Sequence, residues 1–74
     1  MHVEVRLFAT LRNQRFDNRV IELRDGATVS DALGQLNIPE SAATLRLLAG
    51  RCATLDQKLA DGDVLSLFPP LGGG

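Results

Sequence analysis

The residues best placed to do chemistry stand at the end of the sequence, which reads Pro69-Pro70-Leu71-Gly72-Gly73-Gly74. Glycine has no Cβ, so consecutive glycines can enter a channel that is too narrow for any side chain. The reacting group would be the carboxylate of Gly74, which is inert until another enzyme activates it, for example by ATP-dependent adenylation. A frayed terminus without a role is the competing interpretation. Two prolines after an apolar segment favour a flexible tail that is presented as a substrate.

Other reactive side chains have simpler interpretations. Cys52 is the single cysteine, and in an apolar strand such a residue more often acts as a small hydrophobe than as a sulfur relay. His2 has no companion at a metal-ligand spacing, so no metal site is predicted. Asp61 and Asp63 flank Gly62, and this pattern is more typical of a turn than of paired catalytic carboxylates.

Length and composition exclude several classes of protein. A chain of 74 residues allows one domain with a modest core and no deep cavity, so we expect that it is not an enzyme by itself. The net charge of −1 argues against nucleic acid as a partner, and no apolar run predicts a membrane span. The start of the chain lacks the pattern of a secretory signal, and a lone cysteine suits a reducing compartment. We therefore expect a cytoplasmic location.

The elements that must position the tail begin with two strands. Val3, Val5 and Leu7 alternate with polar residues, which predicts a strand with one buried face. Residues 10–19 are predicted to form a loop with one possible helical turn. A second strand is expected over residues 20–24, closed by a turn at Asp25-Gly26.

A capping pair, Thr28 and Asp31, precedes apolar residues at the spacing of an amphipathic helix that should end near Asn37. After a connection over residues 41–44, a third strand is expected at 45–49; both of its faces carry leucine, so its buried face cannot be assigned. A brief strand at 52–54 and a last strand at 64–68 follow. This order predicts an α+β fold of the β-grasp type. Residues 1–68 would form the domain, a mixed sheet around one helix, and residues 69–74 the tail.

The first and last strands lie side by side in a β-grasp sheet. If Leu65 and Leu67 share the core with the first strand, Phe8 and Phe68 both point outward and form an aromatic patch at the root of the tail. A contiguous patch of this kind usually marks an interface. A register shifted by one residue would instead place both rings in the core.

These segments also carry a resemblance. Residues 7–12 (Leu-Phe-Ala-Thr-Leu-Arg), residues 59–63 (Leu-Ala-Asp-Gly-Asp) and the ending Phe-Pro-Pro-Leu-Gly-Gly-Gly together resemble the MoaD/ThiS sulfur-carrier family. The likeness is greatest to its MoaD branch, the small subunits of molybdopterin synthase. That family ends in Phe-Pro-Pro, two variable residues and Gly-Gly, which aligns the functional pair with Gly73 and Gly74 and puts Gly72 in a variable position.

The resemblance implies a cycle of sulfur transfer. An adenylating partner, similar to ubiquitin-activating enzymes, would use ATP to convert the Gly74 carboxylate to an acyl-adenylate, and a sulfurtransferase would supply the sulfur of a thiocarboxylate. The large synthase subunit would then receive the tail in a heterotetramer, in which the sulfur helps to build molybdopterin. The chain itself would bind no cofactor and would be monomeric when isolated.

The resemblance also implies which residues meet these partners. Arg12 stands where the family carries an arginine that contacts acidic groups, although a solvated loop arginine is an equal alternative; Arg15 and Arg19 could extend the same basic surface. The residues expected at the partner interface are Phe8, Arg12, Phe68, Pro69, Pro70, Leu71 and Gly72.

One departure keeps other functions open. Leu48-Ala49 replaces a valine-asparagine pair that is common in the family, and Ala49-Gly50-Arg51 looks more like the corresponding turn of ubiquitin. The chain could therefore be a ubiquitin-like modifier that is joined through Gly74 to lysines of other proteins, although its single lysine, Lys58, disfavours polymeric chains. A carrier for another pathway, such as thiamine thiazole synthesis, is a further alternative. Neither the sulfur donor nor the metal finally bound, molybdenum or tungsten, follows from the sequence.

Overall fold

The computed structural model describes residues 1–70, and this part of the chain contains five strands and one α-helix. In chain order these elements are β1 His2–Leu7, β2 Asn18–Glu22, α1 Val29–Gln35, β3 Leu45–Leu48, β4 Arg51–Cys52 and β5 Val64–Phe68. Two short 3-10 helices, Ala9–Arg12 and Glu40–Ala42, lie in the connections.

The strands form one mixed sheet in the order β2-β1-β5-β3-β4. The first and last strands, β1 and β5, are neighbours and run parallel, while β2 pairs with β1 and β3 pairs with β5 in antiparallel fashion. This arrangement confirms the predicted α+β fold of the β-grasp type.

The core lies between the sheet and α1, and every second side chain of β1 and β5 points into it. Val5 pairs with Leu65, and Leu7 with Leu67, across the two central strands, and at most 2% of the surface of each of these residues is exposed. The helix completes the core with Val29, Ala32 and Leu33, which are also buried. The predicted inner face of the first strand is therefore confirmed.

The start of α1 is the predicted capping box. The hydroxyl oxygen of Thr28 accepts the N–H of Asp31 at 3.2 Å, and the Asp31 carboxylate accepts the N–H of Thr28 at 2.9 Å. Two of the backbone donors that a helix start leaves without partners are thus satisfied. The helix itself ends at Gln35, slightly before the predicted end, and Asn37 adopts a left-handed φ of 57°.

The predicted bounds of two strands were wrong. β2 begins at Asn18, inside the segment predicted to be a loop, because Asn18 and Arg19 pair with β1 despite their polarity. The brief strand is Arg51–Cys52 rather than residues 52–54, since a tight turn at Ala49 and Gly50 brings residue 51 directly opposite Leu48. That turn has positive φ at both residues, 52° and 79°, as two-residue hairpins prefer.

The structure assigns the face of β3 that the sequence left open. Arg46 and Leu48 pair with the buried Leu67 and Leu65, so they share the inner side, while Leu45 and Leu47 point outward. An arginine is tolerated there because its guanidinium donates to the carbonyl of Ala43 at 2.9 Å and more weakly to another backbone carbonyl.

In residues 1–70, the single α-helix has seven residues, and no helix is long and apolar enough to cross a membrane.

Removing the capping hydroxyl should measurably destabilise the fold. We expect Thr28→Ala to lower the free energy of unfolding by about 0.5–2 kcal/mol, because the N–H of Asp31 loses its acceptor. Urea unfolding followed by circular dichroism measures this. Thr44→Ala is the control, since Thr44 is exposed and its side chain makes no hydrogen bond within residues 1–70. Equal losses in the two variants would contradict the role of the cap.

Asp31 should make stability depend on pH. The hydrogen bond from the Thr28 N–H lowers the pKa of the Asp31 carboxyl in the folded chain, and the charge of Arg24 acts in the same direction. A carboxyl with a lowered folded pKa stabilises the fold above its unfolded pKa, which is about 4 for aspartate. This stabilisation is lost as the pH falls from the unfolded pKa through the folded pKa, because in that range the unfolded state binds more protons than the folded state.

The measurement compares the protein with Asp31→Asn from about pH 7 to about pH 2, the range over which such a contribution is lost. The difference in unfolding free energy should be constant near neutral pH and should close in acid. A difference that is the same at every pH would show that ionised Asp31 contributes nothing.

Candidate functional site at the root of the tail

Two aromatic rings stack where the chain leaves the sheet. Phe8 follows β1 and Phe68 ends β5, and because Leu7 pairs with Leu67 the next residue of each strand reaches the same level on the outer face. The ring centroids lie 4.3 Å apart with an angle of 11° between the planes. Both rings are half-buried. The predicted outward aromatic pair is confirmed.

Leu45 extends this apolar surface onto a third strand. It pairs directly with Phe68 across β3 and β5, and 41% of its surface is exposed. We call Phe8, Leu45 and Phe68 the tail-root patch. Sequence reasoning missed Leu45 because the face of the third strand was unassigned; its pairing with the end of the last strand was the missing information.

A groove opens beside the tail-root patch. Its volume is about 790 Å³, and its lining residues within the described chain are Ala9, Thr10, Thr44, Leu45, Phe68, Pro69 and Pro70. No charged side chain is among them. Both prolines of the predicted tail base therefore line an apolar groove.

The wall of the groove depends on a sharp change of direction after β1. The N–H of Phe8 still donates to the carbonyl of Leu67 at 3.1 Å, as in a continued strand. Ala9 then adopts a φ of 53°. Residues other than glycine adopt this left-handed backbone conformation only at an energetic cost. The carbonyl of Phe8 accepts the N–H of Leu11 at 3.2 Å, which starts the 3-10 helix and sets Thr10 at the groove.

The other predicted interface residues are placed differently. Arg12 ends the same 3-10 helix and is exposed, but it does not line the groove, and no carboxylate of residues 1–70 pairs with it. The predicted roles of Leu71, Gly72, Gly73 and Gly74 lie outside the described residues. The structure thus brings Phe8, Phe68 and the prolines together and leaves Arg12 to one side.

The remaining reactive groups stand apart from this site. Asp61 accepts the N–H of His2 and Asp63 accepts the N–H of Ala60, each at 2.7 Å, so the predicted turn role of these carboxylates is confirmed. Cys52 is exposed on β4. Within the described part of the chain, no three His, Cys, Asp or Glu side chains come together as a metal site would require.

The described part of the site is suited to binding an apolar surface. Aromatic rings, leucine and proline offer apolar contact area of the kind that forms the centre of protein interfaces. The only polar side chains among the described lining residues are the hydroxyls of Thr10 and Thr44.

Comparisons with known proteins agree with this arrangement. The ThiS family matches residues 5–74, whereas no curated protein matches the chain. One similar solved structure is the protein-protein complex of subunits 1 and 2 of molybdopterin-converting factor from Helicobacter pylori, with 30% identity, 100% of each chain covered and a TM-score of 0.67.

Two structures from Haloferax volcanii are also similar. SAMP1, small archaeal modifier protein 1, has 27% identity over 100% of each chain and a TM-score of 0.79. The HVO 2177 protein has 29% identity, with 100% of this chain and 87% of that chain covered and a TM-score of 0.80. Because the family match spans nearly the whole chain, the protein belongs to the ThiS family, within the MoaD/ThiS group of ubiquitin-like sulfur carriers.

Proposed function

We propose that the chain is a sulfur carrier whose Gly74 carboxylate is converted to a thiocarboxylate, and that it serves as the small subunit of molybdopterin synthase. The observation that carries the proposal is the tail-root patch, an apolar docking surface at the point where the chain leaves the sheet toward the glycines. The ThiS-family match, which extends to Gly74, supports the same assignment.

The proposed chemistry begins with activation. The Gly74 carboxylate attacks the α-phosphorus of ATP in the adenylating partner, which forms an acyl-adenylate and releases pyrophosphate. A persulfide on a sulfurtransferase then displaces AMP and forms an acyl disulfide. A thiol attacks the donor's sulfur, which releases the thiocarboxylate and leaves a disulfide on the donor. Covalent activation of this kind divides one difficult transfer into two easier steps. The carrier contributes the acyl group, and the partners contribute the catalysis, so the chain is not an enzyme by itself.

Transfer occurs in the second partner. The large synthase subunit receives the tail, the thiocarboxylate sulfur attacks a cyclic pyranopterin precursor, and hydrolysis of the acyl group regenerates the carboxylate. Gly73 and Gly74 keep the width of the chain small near the reacting carbon, and Pro69 and Pro70 hold the base of the tail with fixed φ. Arg12 would contact acidic groups of a partner beside the groove.

The Helicobacter pylori complex of subunits 1 and 2 supports a large subunit as the partner. The proposed assembly holds two copies of each chain, and the isolated small chain is a monomer in the cytoplasm. Apolar anchors such as Phe8 and Phe68 contribute most to an interface when they lie at its centre and are fully covered.

A second function has one observation in its favour. Similarity to small archaeal modifier protein 1 supports a modifier that is joined through Gly74 to lysines of other proteins. Both functions would begin with the same acyl-adenylate and differ only in the group that attacks it. Lys58, which is exposed, would be the one side-chain amine for linking copies of this chain.

The intact mass of the protein from its native cell tests the proposal. We expect a species about 16 Da heavier, since one sulfur replaces one oxygen in the terminal acyl group, and we expect it to disappear after incubation with the large subunit and precursor. Deleting Gly74 should abolish the gain, whereas Cys52→Ser should keep it. A gain of about 32 Da that Cys52→Ser removes would instead be a cysteine persulfide and would contradict the proposal.

The same mass measurement distinguishes the two alternative functions. Chains of unmodified mass together with conjugates on lysines of other proteins would favour the modifier. A thiocarboxylate that persists with the molybdopterin precursor but is consumed in thiazole synthesis would keep sulfur transfer and change the pathway.

The tail-root patch should control binding to the large subunit. We expect Phe68→Ala to weaken binding by about tenfold or more, the range of a central aromatic anchor, as measured by calorimetry with the large subunit of the same organism. Leu55→Ala is the control, because Leu55 is also half-buried against the core but lies outside the patch. Equal weakening by both variants would assign the effect to lost stability and not to lost contact.

A further inference from the structure

The outer edge of β2 is open. β2 stands at one side of the sheet, and its bonds to β1 can be assigned from the bonds that flank the ladder, Leu7 N–H to Asp17 carbonyl and Leu23 N–H to Met1 carbonyl, both 2.8 Å. In an antiparallel pair such hydrogen-bonded positions alternate. The even-numbered residues of β2 therefore direct their N–H and C=O groups away from the sheet.

Within the part of the chain that the structure describes, the outward backbone groups at two consecutive even positions of this edge have no partner. The carbonyl of Glu22 accepts the side-chain amide of Gln35 at 2.9 Å. The backbone groups of Asn18 and Val20, by contrast, make no hydrogen bond outside the sheet ladder within residues 1–70. The Val20 side chain is also 61% exposed, more than any other large hydrophobic residue described.

This combination is unusual for a sheet edge. Exposed edges are commonly shortened, twisted or covered, because bare strands pair with other chains. The opposite edge, β4, follows that rule with only two residues. β2 has five residues and keeps both its open backbone groups and an exposed valine.

Cations border the same edge. A groove of about 310 Å³ separates the start of β2 from the end of α1, and Arg15 and Arg19 line it. The Arg19 guanidinium lies 4.4 Å from the centre of the Phe16 ring, and Arg15 donates to the carbonyl of Leu11. Neither arginine pairs with a carboxylate of residues 1–70.

Residues 5–19, which lead into β2, carry a net positive charge, opposite in sign to that of the whole chain. Residues 5–19 hold four arginines and a single acidic residue, Asp17, although the chain has a net charge of −1. Surface cations that are left without local partners are available to an acidic ligand, and such complementarity raises both rate and specificity of binding.

We propose that the β2 edge docks an extended, acidic segment of a partner protein, which adds a sixth strand to the sheet. The backbone of that segment would pair with the open groups of Asn18 and Val20. An apolar side chain of the segment would cover Val20 on the outer face, and an acidic one would enter the groove beside Arg15 and Arg19. Strand addition of this type takes affinity from main-chain bonds and specificity from side-chain sites.

A second copy of the chain fits this edge poorly. Antiparallel pairing that matches only these two open positions with each other sets Asn18 of one copy against Val20 of the other. Arg19 then stands directly opposite Arg19 of the second copy. Like charges at directly opposed positions destabilise a strand pair, whereas an acidic segment at the same position is attracted.

The edge is separate from the tail-root patch. β1 lies between β2 and β5, so a segment bound to β2 leaves Phe68 and the start of the tail uncovered. The inference therefore goes beyond the proposed carrier function, and it can fail or hold independently of any chemistry at Gly74.

Nuclear magnetic resonance on the full-length ¹⁵N-labelled chain tests the proposal. The probe is a blocked peptide, acetyl-Asp-Glu-Val-Thr-Val-Thr-amide, and the control peptide carries lysine in place of both acids. We expect the amide signals of Asn18 and Val20 to shift with the acidic peptide, and about tenfold weaker binding of the basic peptide, because its charges meet the same arginines.

Two pairs of variants separate the contributions. Val20→Pro removes an N–H that points away from β1, and edge strands tolerate such a proline; Val20→Thr keeps the N–H as the control. We expect Val20→Pro to weaken binding about three- to tenfold relative to Val20→Thr, as the loss of one hydrogen bond implies. Arg19→Gln should weaken binding, and Arg51→Gln, at an exposed arginine of the opposite edge, should not.

Several outcomes would overturn the proposal. No shift of Asn18 and Val20 at millimolar acidic peptide, shifts centred on the tail-root patch, or equal effects of Arg19→Gln and Arg51→Gln would each do so. Concentration-dependent shifts of the same amides without peptide would assign the edge to self-association and would also overturn it. Because Arg19→Gln leaves the backbone unchanged, the test remains decisive even if Val20→Pro does not fold.

Discussion

The parallel pairing of β1 with β5 is the contact on which the rest of this structure depends. It joins the first and last strands of the chain, and it sets Val5 against Leu65 and Leu7 against Leu67 in a face that is almost completely buried. Side chains of a strand alternate between faces, so a slip of one residue would exchange the faces of either strand. The same register that fills the core therefore also directs Phe8 and Phe68 outward.

This link between core and surface explains how a small domain can fix the point at which the chain leaves the sheet. The end of β5 is held by backbone hydrogen bonds to β1 and by the buried side chains. The stacked rings of Phe8 and Phe68 lie where the chain leaves the sheet. Ala9, with its left-handed φ of 53°, turns the chain that follows β1 away from the end of β5, and this change of direction opens the groove. Because no charged group of residues 1–70 lines that groove, the described surface offers mainly apolar contact area for recognition.

The sequence predicts this site in part, and the reason for the difference is physical. Alternation in β1 and the Thr28–Asp31 cap are local patterns, and both were sufficient to predict their elements. The buried face of β3 does not follow from a local pattern, because leucines stand on both sides of the strand. The pairing of β3 with β5 sets Arg46 inward, where the carbonyls of Ala43 and Ala53 accept hydrogen bonds from its guanidinium. Without the pairing of β3 with β5, Leu45 could not be recognised as part of the tail-root patch.

How many residues each strand buries follows from its position in the sheet. β1 and β5 are central and supply buried residues at every second position. β2, at the edge, buries only Ile21 of its five residues, so its other positions can change with little cost to the core. Polar Asn18 and Arg19 form a strand there because pairing with β1 satisfies one side of the backbone. The side that remains open, beside arginines without carboxylate partners in the described chain, is thus free to be selected for recognition independently of the fold and of the tail.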